Sequence, residues 1–169
     1  MNPNFQQIID KIQSWDQAQH TIQNWKTAGE STVFTNGCFD LLHYGHIHYL
    51  SEAASLGKHL VVGLNSTTSV QRLKGKHRPI KDEKSRLYVL ASLEIIDLVV
   101  LFEEDTPLKL IQHLQPDILV KGGDWAAENI VGSNVVLANG GAVHSLAFVD
   151  GFSTTKLEQK ILGLHYRQK

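Results

Sequence analysis

An α/β fold is predicted, a Rossmann-like five-stranded parallel sheet with helices on both faces, and two observations predict it. Short apolar runs at Thr32–Thr35, Leu60–Leu64, Leu98–Phe102, Ile118–Val120 and Ala142–Ala147 alternate with segments of helical periodicity. Runs that are apolar without a polar alternation suit strands covered on both faces, and interleaved helices supply the covers. The helix candidates are Tyr44–Leu56, Lys81–Glu94, Pro107–Leu114 and Thr154–Leu162. Ser153 is an N-cap for the last, and Gln115-Pro116-Asp117 stops the third before a strand. Ahead of the first strand, Phe5, Ile8, Ile9, Ile12 and Trp15, then Ile22 and Trp25, fall near helical spacing. Residues 1–30 are therefore expected to be a helical lead-in packed on a core domain of residues 31–169.

The chain has 169 residues, of which 42% are hydrophobic, the material for one sizeable core. Its formal net charge of -1 gives no overall field toward nucleic acid or an anionic membrane, so attraction for phosphate has to be local. No nucleic-acid partner is expected. The single cysteine, Cys38, excludes an internal disulfide framework and suits a cytoplasmic location. No apolar run approaches the roughly 18 to 20 residues of a membrane helix, and the amino terminus lacks the pattern of a signal peptide.

Two connections are longer than turns require. One runs from Asn65 to Ile80 and carries Arg72, Lys74, Lys76, His77 and Arg78; the other runs from Lys121 to about Gly132. Both follow the carboxyl ends of strands, where open α/β sheets bind ligands.

The chemistry concentrates between the first core strand and its helix, in Thr35-Asn36-Gly37-Cys38-Phe39-Asp40-Leu41-Leu42-His43-Tyr44-Gly45-His46. His43 and His46 stand three apart with Gly45 between them where the helix should begin. Free amides and the positive end of the dipole attract phosphate there, and glycine lets a ligand approach the backbone. Imidazoles on the same first turn add donors for charge on a transferring phosphoryl group. A transition-metal site is the competing reading, but no Cys, Asp or Glu lies beside the histidines at zinc-ligand spacing. Direct ligation of a metal by the protein is therefore not expected.

The run Gly37-Cys38-Phe39-Asp40 followed by His43-Tyr44-Gly45-His46 resembles the GxFDxxHxGH signature of the cytidylyltransferase-like nucleotidyltransferase superfamily. The second signature of that family, a Ser/Thr cluster opening the last helix, is matched by Gly151-Phe152-Ser153-Thr154-Thr155-Lys156. The resemblance covers about Val33 to Ile161 and implies strand order 3-2-1-4-5 in the core and a homodimer; the short apolar runs and the near-zero net charge imply no membrane association. It also implies that the histidines and the Ser/Thr helix start bracket a triphosphate. Asn36, Gly37, Cys38, Phe39, Gly45, Asn65, Gly151, Phe152, Ser153, Thr154 and Thr155 become the expected nucleotide contacts.

Within the superfamily the chain is most similar to adenylyltransferases for D-glycero-β-D-manno-heptose 1-phosphate, in a stand-alone form without the sugar kinase fused to many relatives. The resemblance lies in Asn65-Ser66 with Arg72–Gly75 and Arg78-Pro79, in Phe102–Pro107, and in Leu119–Asp124 with Asp150-Gly151. It implies ATP and a sugar 1-phosphate as substrates, with Mg²⁺ carried by phosphates and water. The glycerol-3-phosphate cytidylyltransferases have an Arg-Thr pair where this chain has Phe148-Val149, which argues against that branch. A non-catalytic nucleotide-binding protein on this fold is the remote alternative.

Expected roles follow. His43, His46 and Lys74 act on the triphosphate; Lys76, Lys121, Gly122, Gly123 and Asp124 meet the acceptor. Asp124 binds sugar hydroxyls or orients its loop. Asp40 orients the histidine turn or stands near the metal. Arg86 reaches the site or pairs with Asp97.

Overall fold

The computed structural model describes residues 2–166; Met1 and residues 167–169, the ends of the two segments bounded above, lie outside the described residues. The lead-in forms helix α1 (Pro3–Asp10), a two-residue strand β1 (Ile12–Gln13) and helix α2 (Trp15–Thr27). Ser14 starts α2 with a reciprocal capping box: its side chain accepts from the Gln17 N–H, and the Gln17 side chain accepts from the Ser14 N–H.

The core then runs β2 (Thr32–Gly37), α3 (Tyr44–Ala54), β3 (His59–Asn65), α4 (Thr67–Lys74), α5 (Glu83–Ala91), β4 (Leu98–Phe102), α6 (Leu108–Leu114), β5 (Ile118–Gly122), α7 (Ser133–Ala138), β6 (Ala142–Leu146) and α8 (Thr154–Tyr166). All strand pairs are parallel, in the order β1-β4-β3-β2-β5-β6. The five strands expected from the sequence keep the order 3-2-1-4-5, counted from β2. The sheet nevertheless has six strands, because β1 adds to its edge by pairing Ile12 with Val99 and Gln13 with Val100. A two-residue strand carries no periodicity, so its sequence could not announce it.

The alternation of side chains along each strand divides the core. Phe34, Val61 and Val100 pack with Ala18, Ile22, Leu110 and Ile111 on one face. Val33, Leu60, Val62, Leu64 and Val99 pack with Leu50, Ala53 and Leu90 on the other. The lead-in contributes to both layers: Trp15 and Trp25 of α2 lie against the first, and Ile8 of α1 and Ile12 of β1 against the second.

Two helices are absent from the candidates read from the sequence, one inside the Asn65–Ile80 connection and one just after the Lys121–Gly132 connection. Thr67–Lys74 is helical, capped by Ser66, whose hydroxyl accepts from the Ser69 N–H, and ended by Gly75 at φ 95°. Its apolar residues are too few to mark a period. The other is α7, after a 3₁₀ turn at Ala127–Asn129.

Polar side chains fasten the strand ends. At the amino edge, Asp117 accepts from the N–H and hydroxyl of Thr32, both at 2.8 Å, and Asp97 accepts from the Leu60 N–H at 2.7 Å. At the carboxyl edge, Arg86 of α5 is fully buried and donates to the carbonyls of Asn65 at 2.7 Å and Cys38 at 3.0 Å. Arg86 and Asp97 thus serve opposite edges and do not pair. Removing the guanidinium leaves buried carbonyls unpaired, at about 1–3 kcal/mol for each such group. Arg86→Met should therefore lower unfolding free energy by about 2–4 kcal/mol in a urea titration; an unchanged midpoint would contradict this role.

Candidate active site

At the carboxyl edge β2 ends in a tight turn. Phe39 takes φ 42°, a conformation uncommon outside glycine, and its ring lies over Gly37 and tilts against His46 at 5.6 Å. His43 occupies the N-cap position of α3 without a capping hydrogen bond from its side chain. His43 and His46 are thereby brought side by side, ring centroids 3.9 Å apart and planes inclined at 34°. A side chain at Gly45 would lie within 3.2 Å of both the His43 ring and Phe152, so glycine is what lets the histidine turn meet the start of α8.

The pair is electrically unusual. Burial, with His43 and Lys74 close enough to disfavour a second positive charge, draws the His46 imidazole down to about 4. Burial draws His43 down as well. Both rings are neutral in the nucleotide-free protein near pH 7, and the buried Nδ1 atoms of both have no hydrogen-bond partner among the described residues.

Three adjoining cavities open along this edge. The central one, about 470 Å³, is lined by the Asn36–Asp40 turn, His46, Tyr49, Lys74, Arg78, Lys121 and Gly122, with Thr154 and Thr155 opposite. A second, about 290 Å³, shares His46, Lys74 and the two threonines and adds His43, Gly45, Phe152 and Ser153. The third, about 390 Å³, shares Asn36, Gly37, Cys38, Lys74 and Lys121 and extends past Asn65 to Asp105 and Trp125. Residues 43 and 46 and residues 153–155, more than a hundred positions apart in the chain, therefore face one space.

Lys74 is the last residue of α4, and Lys121 lies in β5 one residue before its end. Burial and the like charge of Lys74 weaken the Lys121 ammonium, and the ion pairs found among the described residues include neither lysine. The polar wall is completed by Tyr49, whose hydroxyl shares a 2.6 Å hydrogen bond with Thr35 and reaches the Val120 carbonyl; burial pushes this phenol up to about 12.

Other expected residues are placed differently. Asp40 does not hold the histidine turn. Its carboxylate accepts from the N–H groups of Ile80 at 2.8 Å and Lys81 at 2.9 Å and from Arg78, fixing the loop before α5. Burial pushes that carboxyl up, but these donors hold it below its usual range. Arg78 also pairs with Glu158 of α8, tying the two walls of the cleft. Arg86 acts from beneath through the Cys38 and Asn65 carbonyls. Lys76, Asp124, Gly123 and Gly151 do not line these cavities, and Asp97 belongs to the far edge of the sheet. The Gly122-Gly123 pair admits rings of the protein itself: a side chain at Gly122 would meet Phe148 at 2.6 Å, and one at Gly123 would meet Trp125 at 2.8 Å. Sequence reasoning passed over Tyr49, although it follows His46 by three residues on the same helix face. It could not foresee Glu158, whose partner lies eighty residues away.

A cytidylyltransferase-like family model matches residues 34–159. The bifunctional protein HldE of Citrifermentans bemidjiense is 55% identical over 152 residues, and that of Geobacter metallireducens 54% over the same length; each alignment covers 90% of this chain. The chain spans 31% of the length of these relatives. The crystal structure of the lipopolysaccharide core biosynthesis protein from Thermoplasma volcanium is 34% identical and superposes with TM-score 0.57, covering 72% of this chain and 98% of that one. The pantoate-beta-alanine ligase of Francisella tularensis, 15% identical with TM-score 0.56 over 87% of this chain and 75% of its own, shares the fold alone. With its signature turn and its Ser-Thr-Thr helix start on one cleft, the chain belongs to the cytidylyltransferase-like family and is a nucleotidyltransferase.

Proposed function

We propose that this chain transfers AMP from MgATP to D-glycero-β-D-manno-heptose 1-phosphate, giving ADP-heptose and pyrophosphate. The observation that carries the reading is the cavity that His43, His46, Lys74 and Ser153–Thr155 line together, adjoining the central one that Lys121 lines. The choice of sugar rests on the stretches Arg72–Gly75, Phe102–Pro107 and Leu119–Asp124, and is supported by relatives named HldE and a neighbour named for lipopolysaccharide core biosynthesis. The use of ATP favours the cytoplasm, and no helix among the described residues is long and apolar enough to cross a membrane. The homodimer implied by the resemblance belongs to the same proposal.

An oxygen of the acceptor phosphate attacks the α-phosphorus of ATP, the new P–O bond forms, and the bond from that phosphorus to the α,β-bridging oxygen breaks in line with it. The acceptor phosphate is already ionised, so no general base is needed, and positioning with charge stabilisation carries the rate. His43 and His46 donate N–H bonds to the triphosphate, Ser153–Thr155 receive it at the opposite helix start, and Lys74 and Lys121 balance charge where donor and acceptor phosphates meet. Among the described residues no cluster of three or more His, Cys, Asp or Glu side chains is placed to hold a metal, and Asp40 is occupied by its three donors. A Mg²⁺ ion brought by ATP would be held by phosphate oxygens and water and would supply charge neutralisation for the pyrophosphate that leaves, beside Lys74 and Lys121.

Pyrophosphate release, measured with each of the four nucleoside triphosphates against the heptose 1-phosphate and glycerol 3-phosphate, tests the assignment. Turnover with ATP and the heptose phosphate is expected; turnover only with CTP and glycerol 3-phosphate would refute it. In the productive pairing, His46→Ala should lower kcat by about 10²–10³, the usual loss for one such donor; a kcat within threefold of wild type would remove His46 from the mechanism.

The neutral state of His46 gives a separate check. A histidine whose pKa is lower folded than unfolded binds fewer protons when folded, so its contribution to stability is lost as pH falls from about 6.5 toward about 4. The His46 ring resonances of the nucleotide-free protein should accordingly titrate near 4 in an NMR series. An inflection at the ordinary histidine value, near 6.5, would contradict the burial described.

A further inference from the structure

Helix α8 rests lightly on the molecule. None of residues 154–163 is buried, and the half-buried ones, Thr154, Leu157 and Glu158, fall at i, i+3 and i+4, on one face of the helix. Ile161 and Leu162, farther along, are more than half exposed. A helix that buries so little is not placed by its packing, so its position depends on particular contacts. Just ahead of it, the Phe152 ring tilts against Tyr44 of α3 at 5.0 Å. One turn into it, Glu158 pairs with Arg78, and among the described residues this is the hydrogen bond that joins a side chain of α8 to another part of the chain. The ring contact fixes one point of the helix, and the ion pair fixes its direction.

Arg78 reaches beyond Glu158. Its Nη1 donates to the Asp40 carboxylate at 3.3 Å, and Asp40 stands three residues before His43. One planar guanidinium thus spans from the histidine turn to α8, and its rigid fork leaves little freedom in the distance between them. Arg78 lines the central cavity together with Asp40, His46, Thr154 and Thr155. Unlike Lys74 and Lys121, it is already matched by two carboxylates, so it brings no free positive charge to an entering anion. Glu158 itself lines none of the three cavities.

Resting on the transfer reaction set out above, we propose that Glu158 is a positioning residue for that reaction: by way of Arg78 and Asp40 it holds the Ser153–Thr155 helix start against the histidine turn, so that both close on one triphosphate. Glu158 touches neither substrate. Its removal lets α8 turn about the Phe152 contact and withdraws the hydroxyls, while the histidines stay. Removal of Arg78 does more, because it also leaves the Glu158 carboxylate unopposed one turn from Thr154, where it repels the triphosphate.

The test uses the intact chain and its Glu158→Ala, Glu158→Gln and Arg78→Met variants, with the Arg78→Met/Glu158→Ala double variant. Calorimetry gives the Kd of α,β-methylene ATP, which cannot transfer its nucleotide, at saturating Mg²⁺; kcat and KM are measured with ATP and the heptose 1-phosphate. Glu158→Ala should raise that Kd and lower kcat, each about tenfold, with the acceptor KM held within about twofold. Its urea midpoint should not move, since α8 buries no side chain among residues 154–163. Glu158→Gln, which still accepts from Arg78, should fall between Glu158→Ala and the wild type. Arg78→Met should bind the analogue more weakly than Glu158→Ala, and the double variant more tightly than Arg78→Met, because the stranded carboxylate has gone. A tighter Kd in Glu158→Ala would make Arg78 a phosphate ligand held back by the carboxylate and overturn the proposal. A further loss in the double variant, or a loss in Glu158→Ala matched by a fall in its urea midpoint, would overturn it too. Turnover with Kd and kcat unchanged in Glu158→Ala would overturn the positioning role and leave the reaction standing. The expected order of Kd values without turnover in the wild type would uphold the placing of α8 by Glu158 and refute the reaction.

Discussion

Two lysines approach one another at the carboxyl edge of the sheet, both outside the ion pairs formed among the described residues, and one of them is weakened by burial and by the other. Like charges held together in a partly dry cleft are costly until an anion arrives. Every neighbouring feature serves the arrival of such an anion. The His43–His46 pair is kept neutral by burial, which removes a further source of repulsion while leaving N–H donors in place. Helices α3 and α8 begin on this space, so their unpaired amides add to the same field. The carboxylate nearest to the wall, Asp40, is turned onto the Ile80 and Lys81 amides and Arg78, where it shapes the loop instead of neutralising the lysines.

The fold makes this concentration of charge possible. A parallel sheet directs the ends of β2, β3 and β5 to one edge, and the polar work of holding those ends is done outside the cleft. Arg86 joins the Cys38 and Asn65 carbonyls from below, and Asp97 and Asp117 fasten the amino ends at the far edge. The Arg78–Glu158 pair then links the loop before α5 to α8, bringing a wall from late in the chain against one from early in it. Conserving positions on rigid elements is what lets neutral donors act on a transition state without reorganising.

Much of this was legible before any coordinate. Strands buried on both faces must be apolar throughout, so β2 to β5 appear as runs whose limits agree with the structure within a few residues, and β6, half-buried and carrying His144 and Ser145, is still bounded by the run at Ala142–Ala147. The histidine turn and the Ser-Thr-Thr helix start were visible as motifs because each is compact in sequence. What escaped notice was either short, polar or distant. β1 is two residues long, and α4 is mostly polar, so that Lys74 read as a loop residue though it ends a helix. The contacts of Asp40 with residues 78–81, of Arg78 with Glu158, and of Arg86 with two carbonyls span from about twenty to eighty positions, and no spacing rule joins them. The glycines after Lys121 signalled a close approach, but of protein rings: the approaching groups are Phe148 and Trp125.

Convergence on one nucleotide tail is tested most directly by NMR, following the His46 ring together with the Thr154 and Thr155 amides as Mg²⁺ and α,β-methylene ATP are added. The two sets of signals should move on one saturation curve with a single Kd, because both touch the same triphosphate. Signals from only one set, or curves with clearly different Kd values, would mean that the histidine turn and the α8 start do not hold one ligand, contradicting the shared site.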